Sequence, residues 1–127
     1  MIINNVGLLV AAPIHDMLDY KAREHGVSSG LSEAGYDIRL AQNIKFKAPK
    51  RKWYGGYTQP TVRVSGDRLT EVEGRFTLAS AMEEFNMPTN MVGKVHDKST
   101  WARQGISVFN TVIEPGWQGF LTLEIVF

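Results

Sequence analysis

The pattern of hydrophobic and polar residues predicts many short strands and few helices. Tyr36, Ile38 and Leu40 alternate with polar neighbours in "YDIRLAQNIKF", which is the period of a half-buried strand. "ISVFNTVI" and "GFLTLEIVF" predict two strands joined through the turn "EPGWQG", and "TVRVSGDRLTEVEGRFTLAS" predicts two around a turn at Gly66–Asp67. "IINNVGLLVA" and "MVGKVHD" are predicted to be strands as well. We therefore expect a β-sandwich or a barrel-like fold.

Helical segments interrupt these strands. "PIHDMLDYKAREHG" predicts a helix, since Pro13 suits the first helical position, Gly26 suits a C-cap and the apolar residues between them share one face. "STWARQG" predicts one or two helical turns with Ser99 as N-cap and Gly105 as C-cap. "AMEEFNMPTN" predicts a turn, or one helical turn, that Pro88 stops.

Composition narrows the class of protein. With 127 residues, of which 43% are hydrophobic and 21% charged, the chain is predicted to form a single globular domain over residues 1–127. A net charge of +1 gives no overall attraction to nucleic acid, and no apolar run is long enough for a membrane span. The absence of cysteine excludes disulfides and cysteine-ligated zinc, and the three histidines lack metal-ligand spacing. Without a recognisable signal peptide, the expected location is the cytoplasm.

The last predicted strand contains one carboxylate, Glu124. Alternate residues form a continuous core face: Leu121, Leu123, Ile125 and Phe127. Glu124 belongs to the opposite face, together with Phe120, Thr122 and Val126. If that face is covered, Glu124 is partly desolvated, which suits general acid–base catalysis. A solvated strand glutamate is the alternative, and it is the commoner role of a carboxylate.

The predicted helix start at Ser99 also has two interpretations. An N-cap serine is commonly structural. Lys98, Thr100 and Arg103 add two cations and a second hydroxyl to the free N–H groups of a helix start, a combination that suits phosphate binding. Ser99 and Arg103 are four residues apart and so face one side of the helix.

A basic and aromatic stretch, "KFKAPKRKWYGGY", suggests a third kind of site. Its cations, next to Trp53, Tyr54 and Tyr57, suit single-stranded nucleic acid. We favour a charged surface loop, because acidic residues elsewhere balance these charges. The cations of this stretch are Lys45, Lys47, Lys50, Arg51 and Lys52.

Several motifs, in the right order, resemble the dCTP deaminase branch of the dUTPase superfamily. "KSTWARQGISVFNTVIEPGWQGFLTLEI" is similar to that branch's Arg-Ser-Ser-Leu-Ala-Arg segment, its Ile-Asp-Pro-Gly-Trp-x-Gly turn and a strand that ends in Leu-Glu. "AGYDIRL" and "GRFTLASAMEEFNMPTNMVGKV" resemble two upstream segments. The resemblance covers residues 30–127 and is weakest across 45–75. It implies a distorted β-barrel or jelly roll with one N-terminal helix, assembled as a homotrimer with nucleotide sites at the subunit interfaces.

The resemblance also implies roles for particular residues in the zinc-independent conversion of dCTP to dUTP and ammonia. Glu124 matches the catalytic glutamate, which takes a proton from the water that attacks C4 of cytosine. Ser99 and Arg103 match residues that hold this water and stabilise charge in the transition state. No side chain is expected to ligate a metal, since phosphates and waters hold magnesium. The implied substrate-binding residues are Lys98, Thr100, Thr111, Glu114, Gly116, Trp117 and Thr122.

The sequence departs from the family pattern at several positions. Lys98 replaces an arginine, and Asp97 replaces a glycine, which puts a negative charge near the expected phosphate site. Family members continue past the catalytic glutamate, whereas this sequence ends at Phe127. We expect the predicted strand "IINNVGLLV" to fill the sheet edge that the further strands would occupy. A chain this short suits a virus, and its location would then be the host cytoplasm.

Two other functions stay open. One is a dUTP diphosphatase, or a bifunctional enzyme that continues from dCTP to dUMP and pyrophosphate. Glu114 disfavours a plain diphosphatase, because such an enzyme uses an aspartate at this position to activate its water. The other is a non-catalytic, nucleotide-binding regulatory protein that has kept the fold, which the early end of the sequence favours.

Overall fold

A computed structural model describes residues 1–24, 26–47, 50–51, 57–58, 61–62 and 68–127. The predicted turn at Gly66–Asp67 lies outside these residues, as do Lys52, Trp53 and Tyr54. The prediction of a mainly β fold with few helices is confirmed. The elements are α1 Val6–Ala11, β1 Lys21–Glu24, β2 Val27–Leu31, β3 Tyr36–Asp37, β4 Gln42–Phe46, β5 Lys50–Arg51, β6 Tyr57–Thr58, β7 Thr61–Val62, β8 Arg68–Val72, β9 Phe76–Asn86, β10 Gly93–Lys94, α2 Ser99–Ala102, β11 Ser107–Val108, β12 Val112–Ile113 and β13 Gln118–Val126.

The longest strands, β9 and β13, form the centre of the sheet that carries the predicted catalytic residue. They pair antiparallel from Phe76↔Val126 to Asn86↔Gln118, with a bulge between Phe120 and Thr122. β11 adds to the other edge of β13. The other described sheets have the strand orders β1-β2-β3, β7-β4-β8, β10-β12 and β5-β6, and β4 runs parallel to β8.

Alternate residues of β9 and β13 build the core, as the period of the last strand predicted. Leu123 and Ile125 of β13 are buried, and Leu121 and Phe127 pack against the same core cluster. The Phe127 ring stacks on the buried ring of Phe46, with 6.0 Å between the centroids. The buried residues of β9 are Ala79, Ala81, Glu83 and Phe85.

The predicted helix that starts at Pro13 is absent. Ile14 instead forms a bridge with Phe85, the N–H of His15 donates to the carbonyl of Glu84, and residues 21–24 form β1. Ile14 is buried there. A helix of this length is marginal by itself, so pairing with β9 and burial of Ile14 override the helical pattern.

The predicted N-terminal strand is wrong too, because residues 6–11 form the helix α1, which has no buried residue. The pattern of a short apolar run is compatible with a strand or with a helix. Such a run forms a strand only where a partner strand is available to pair with it. The edge of β9 that faces away from β13 already bonds residues 13–15 and 39–41. Residues 2–10 therefore do not fill a sheet edge. In the described part of the chain, neither helix is long and apolar enough to cross a bilayer.

The segment "AMEEFNMPTN" is not a turn or a helical turn, because β9 continues to Asn86. Glu83 lies on the core face of β9 and is buried. In the sequence, two adjacent glutamates give no sign that one of them is buried. Arg39 compensates its charge: Arg39 Nε donates to Glu83 Oε1 at 2.8 Å and the Arg39 backbone N–H donates to Oε2 at 2.9 Å. The hydrogen bond to Glu83 raises the pKa of the Arg39 guanidinium.

Candidate active site

Glu124 lies near the end of β13, where two residues of the neighbouring chain segment hold its backbone. Phe109 N–H donates to the carbonyl of Glu124 at 2.9 Å, and the N–H of Glu124 donates to Oδ1 of Asn110 at 2.8 Å. Its side chain is half-buried and is directly opposite Leu78 of β9. The backbone of the predicted catalytic residue is therefore fixed on the edge that faces β11.

The side chain of Asn110 continues the ladder beyond the end of β11. Its Nδ2 donates to the carbonyl of Thr122 at 2.8 Å while its Oδ1 accepts from Glu124. β11 itself pairs with β13 only through Ser107 and Val108. The sequence interpretation missed Asn110, although a carboxamide between the two apolar runs of "ISVFNTVI" was the available signal.

Glu124 shares its face of the β9–β13 pair with large apolar side chains that are open to solvent. Directly paired residues lie on one face: Leu78 is opposite Glu124, Phe76 is opposite Val126, and Phe120 lies four residues before Glu124 on β13. These three apolar side chains are 56%, 52% and 55% exposed. Met82 of β9 is exposed on the same side. We call this surface the outer face: Phe76, Leu78, Met82, Phe120 and Glu124.

The loop that contains α2 is closed at its base by Asp97. The carboxylate of Asp97 accepts hydrogen bonds from the Val108 N–H at 2.7 Å and from the Ser107 hydroxyl at 3.0 Å. These bonds hold the start of β11 against the start of the loop. The sequence places the negative charge of Asp97 near the expected phosphate site. In the structure this carboxylate instead binds Ser107 and Val108 and closes the loop.

Ser99 is the first residue of α2 and not its N-cap, which corrects the sequence prediction. Lys98 is the N-cap, with an extended backbone whose carbonyl accepts from the N–H groups of Trp101 and Ala102. No side chain caps the helix. The exposed hydroxyl of Ser99 is thus not engaged in capping.

The other end of α2 also differs from the prediction. Arg103 is the C-cap, and the predicted C-cap, Gly105, follows two residues later with φ of +84°. The Arg103 N–H donates to the Ser99 carbonyl at 3.0 Å, so the two residues are one helical turn apart. Arg103 is exposed and Thr100 is half-buried.

Lys98 is bound by two residues that sequence reasoning did not select. Its Nζ lies 2.8 Å from Oδ2 of Asp37 and 2.8 Å from Oγ of Ser28, and Ser28 donates to the same carboxylate oxygen at 3.0 Å. Asp37 and Ser28 belong to β3 and β2. Lys98 therefore ties that sheet to the start of α2, and Asp37 compensates its charge.

The turn before β13 contains the other predicted contacts. Gly116 has φ of +75°, which favours glycine, and its N–H donates to the Pro88 carbonyl at 3.2 Å. Trp117 is half-buried, with its ring centroid 6.3 Å from that of Phe85. Glu114 is exposed, and its carbonyl accepts from the Trp117 N–H at 3.2 Å.

The structure brings some of the predicted residues together and separates others. The α2 loop runs directly into β11, which pairs with β13 next to Glu124. Thr122 and Thr111 are exposed beside Asn110. The turn is at the other end of β13, since the six residue steps from Gln118 to Glu124 span about 20 Å. Its residues are Glu114, Gly116 and Trp117.

The basic stretch is partly neutralised. The structure describes two of its cationic side chains: Lys45 Nζ lies 3.7 Å from Glu71, and Lys47 Nζ lies 2.9 Å from Glu71 and 3.1 Å from Glu73. The hydrogen bond between Lys47 and Glu71 is the main cause that raises the pKa of Lys47 and lowers that of Glu71. These pairs favour a charged surface over a nucleic-acid site. Among the described residues, no three His, Asp or Glu side chains group to hold a metal.

Comparison with known proteins assigns the family. The family model described as "dCTP deaminase-like" matches residues 9–126. The chain is 34% identical to the dCTP deaminase of Chlamydia abortus over 117 residues, which are 85% of this chain and 59% of the relative. It is 37% identical to the dCTP deaminase of Anaplasma phagocytophilum over 120 residues, 87% of this chain and 62% of the relative.

A third relative, the dCTP deaminase of Gemmatimonas aurantiaca, is 34% identical over 118 residues, which are 84% of this chain and 60% of the relative. The chain thus spans about three fifths of the length of the curated relatives it matches. The family model covers both the α2 loop and β13. The chain belongs to the dCTP deaminase-like family.

Proposed function

We propose that this chain catalyses the hydrolytic deamination of dCTP to dUTP and ammonia. The observation that carries the proposal is the anchoring of Glu124, whose backbone N–H and carbonyl both bind the segment that follows α2. Family membership and the names of the relatives support dCTP as the substrate. A carboxylate on an anchored backbone, next to the strand that follows a helix with an exposed hydroxyl and guanidinium, suits acid–base chemistry on a bound base.

In the proposed reaction, Glu124 transfers protons between water and the leaving nitrogen. Its carboxylate takes one proton from a water molecule while the water oxygen forms a bond to C4 of cytosine. Glu124 passes this proton to N3 of the base, and the water oxygen becomes a hydroxyl on C4. Glu124 then takes the remaining proton from this hydroxyl and passes it to the exocyclic nitrogen, the C4–N bond breaks, ammonia leaves and the oxygen becomes O4 of uracil. Ser99 orients the water through its exposed hydroxyl, and Arg103 stabilises the charge that develops at C4.

The substrate in this proposal is the magnesium complex of the triphosphate, and no zinc takes part. Lys98 and Thr100 contact the triphosphate, with Lys98 sharing its ammonium between Asp37 and a phosphate oxygen. Glu114 contacts the 3′-hydroxyl, and Trp117 contacts the sugar and base. Thr111, Gly116 and Thr122 complete the proposed contacts. The zinc deaminases need cysteine ligands, and this sequence contains none.

We also propose that further copies of the chain cover the outer face in a homotrimer. Four large apolar side chains are exposed there beside a carboxylate, and exposed patches of this kind mark interaction sites. A covering subunit would remove water from Glu124, which strengthens its electrostatic interactions with a bound substrate. The α2 loop and the turn before β13 can then meet one nucleotide from different subunits.

The test incubates the protein with magnesium–dCTP and magnesium–dUTP and measures ammonia and pyrophosphate separately. We expect ammonia from dCTP, and a loss of at least a hundredfold in Glu124→Gln. Glu24→Gln is the control, because Glu24 is an exposed glutamate on β1, which belongs to a different sheet. Ammonia release that survives Glu124→Gln would overturn the mechanism. Pyrophosphate alone would support a diphosphatase, and nucleotide binding without turnover would support a regulatory protein.

A further inference from the structure

We infer that Asn110 is a positioning residue for Glu124, and that its carboxamide sets where the Glu124 carboxylate stands. The inference deepens the proposed deamination and rests on it. One carboxamide binds two backbone groups of β13: Oδ1 accepts from the Glu124 N–H at 2.8 Å, and Nδ2 donates to the Thr122 carbonyl at 2.8 Å. The Asn110 side chain therefore bridges the backbone of β13 from the Thr122 carbonyl to the Glu124 N–H.

The geometry of an antiparallel ladder explains why a carboxamide is needed here. The N–H and carbonyl of one strand residue point to the same neighbouring strand, so both groups of Glu124 point toward β11. The backbone of Phe109 still reaches the carbonyl of Glu124, but the N–H needs another acceptor because β11 ends at Val108. A carboxamide offers one acceptor and a donor group, as a peptide unit does. The side chain of Asn110 thus stands in for the missing strand residue.

Backbone anchoring matters because no side chain in the described part of the molecule binds this carboxylate. In the described ranges, no side chain donates a hydrogen bond or forms an ion pair with the Glu124 carboxylate. A catalytic group needs placement to about 0.5 Å, and a displacement of about 1 Å costs roughly a hundredfold in rate. Asn110 and Phe109 fix the backbone from which the Glu124 side chain extends, so a shift of this backbone moves the carboxylate with it.

Two substitutions separate positioning from a general structural role. Asn110→Ala removes both bonds, and we expect kcat to fall about tenfold to a hundredfold with a smaller change in KM. Asn110→Asp keeps the shape of the side chain but directs a carboxylate at the Thr122 carbonyl, where two acceptors repel. When protonated, the new carboxyl group again supplies one acceptor and one donor. Repulsion from the Thr122 carbonyl raises the pKa of the new carboxyl group above the ordinary value of about 3.9, which brings its protonation within reach of pH 5. The activity of Asn110→Asp relative to the unchanged protein should therefore rise by at least fivefold as the pH falls from about 8 to 5.

The ratio of the two activities removes the titrations that are the same in both proteins. The ionisable residues on the segments around Asn110 include Glu124, His96 and Asp97 at the base of the loop, Lys94 opposite Val112, and Glu114, and all are present in each protein. Asn86→Ala is the matched control, because Asn86 is an exposed asparagine at the end of β9. We expect its activity and pH profile to match those of the unchanged protein.

Amide hydrogen exchange tests the inference without relying on activity. Asn110→Ala should speed exchange of the Glu124 amide by at least tenfold, while Asn86→Ala leaves it unchanged. Faster exchange with unchanged kcat would overturn the positioning role. An Asn110→Asp profile parallel to that of the unchanged protein would overturn it as well. If the unchanged protein releases no ammonia, the proposed deamination fails, and exchange at Glu124 still tests whether Asn110 holds this backbone.

Discussion

The ammonium of Lys98 lies 2.8 Å from Oδ2 of Asp37, and 61 residues of sequence separate the two. The two side chains are 23% and 26% exposed, so this ion pair is shielded from solvent more than most surface pairs. Ser28 bonds to both members. The pair joins β2 and β3 to the residue that begins α2, and it thereby connects two parts of the fold that the sequence places far apart.

We predict that this pair stabilises the fold. A double-mutant cycle with Lys98→Met and Asp37→Asn should give a coupling free energy of about 1–2 kcal/mol in urea unfolding. The matched control is the cycle for Lys21 and Glu33, which are 40% and 84% exposed and 3.0 Å apart. Its coupling should be clearly smaller, because solvent screens an exposed pair. Equal couplings in the two cycles would contradict the prediction.

The ion pair between Arg39 and Glu83 should contribute more, because Glu83 is almost fully buried. Arg39→Leu leaves this carboxylate without its partner, and we expect the free energy of unfolding to fall by about 3 kcal/mol at neutral pH. Arg23→Leu, at an exposed position of β1, should change stability by at most about 0.5 kcal/mol. Losses of equal size in the two variants would contradict the prediction.

The pairing of Glu71 with Lys47 predicts a second dependence on pH. The hydrogen bond from Lys47 lowers the pKa of Glu71 in the folded state below its unfolded value. The contribution of Glu71 to stability is therefore present above the unfolded value and is lost as the pH falls through the folded one. Melting temperatures of the unchanged protein and Glu71→Gln should differ most at neutral pH and low salt, and converge in acid. A difference that persists at pH 2 would show that the substitution acts by another route.

The outer face should decide the oligomeric state. Leu78→Arg places a charge among apolar side chains, and we expect the mass measured by light scattering to fall from about three times 14.2 kDa to a single chain. Deamination should fall with it, since the proposed site needs a second subunit. Val6→Arg changes an exposed apolar residue on α1 and should leave the mass unchanged. A single-chain mass for the unchanged protein would refute the proposed trimer.

The sequence predicted the last strand well because one period decides its two faces. Leu123 and Ile125 are buried and Glu124 lies on the opposite face, as a repeat of two residues requires. The family resemblance also rests on local motifs, and the family model confirms it. The hydrophobic period therefore predicts which face of a strand is buried, and the local motifs predict the family.

What could not be predicted depends on partners distant in sequence. "PIHDMLDYKAREHG" has a helical pattern, but Ile14 fits a place beside Phe85 that exists only once β9 has formed. The pairing of Lys98 with Asp37 likewise follows from where β3 meets the start of α2. Asn110 could not be assigned either, because its role depends on β11 ending at Val108.

The bridge between Ile14 and Phe85 has a consequence for how the chain folds during synthesis. Ile14 must wait for Phe85, which the ribosome adds 71 residues later, or roughly 4 to 14 seconds at 5–20 residues per second. Its apolar side chain, buried in the finished protein, is exposed until then. Completion of β9 thus marks the moment at which the N-terminal residues can dock and the nascent chain no longer offers them to other chains.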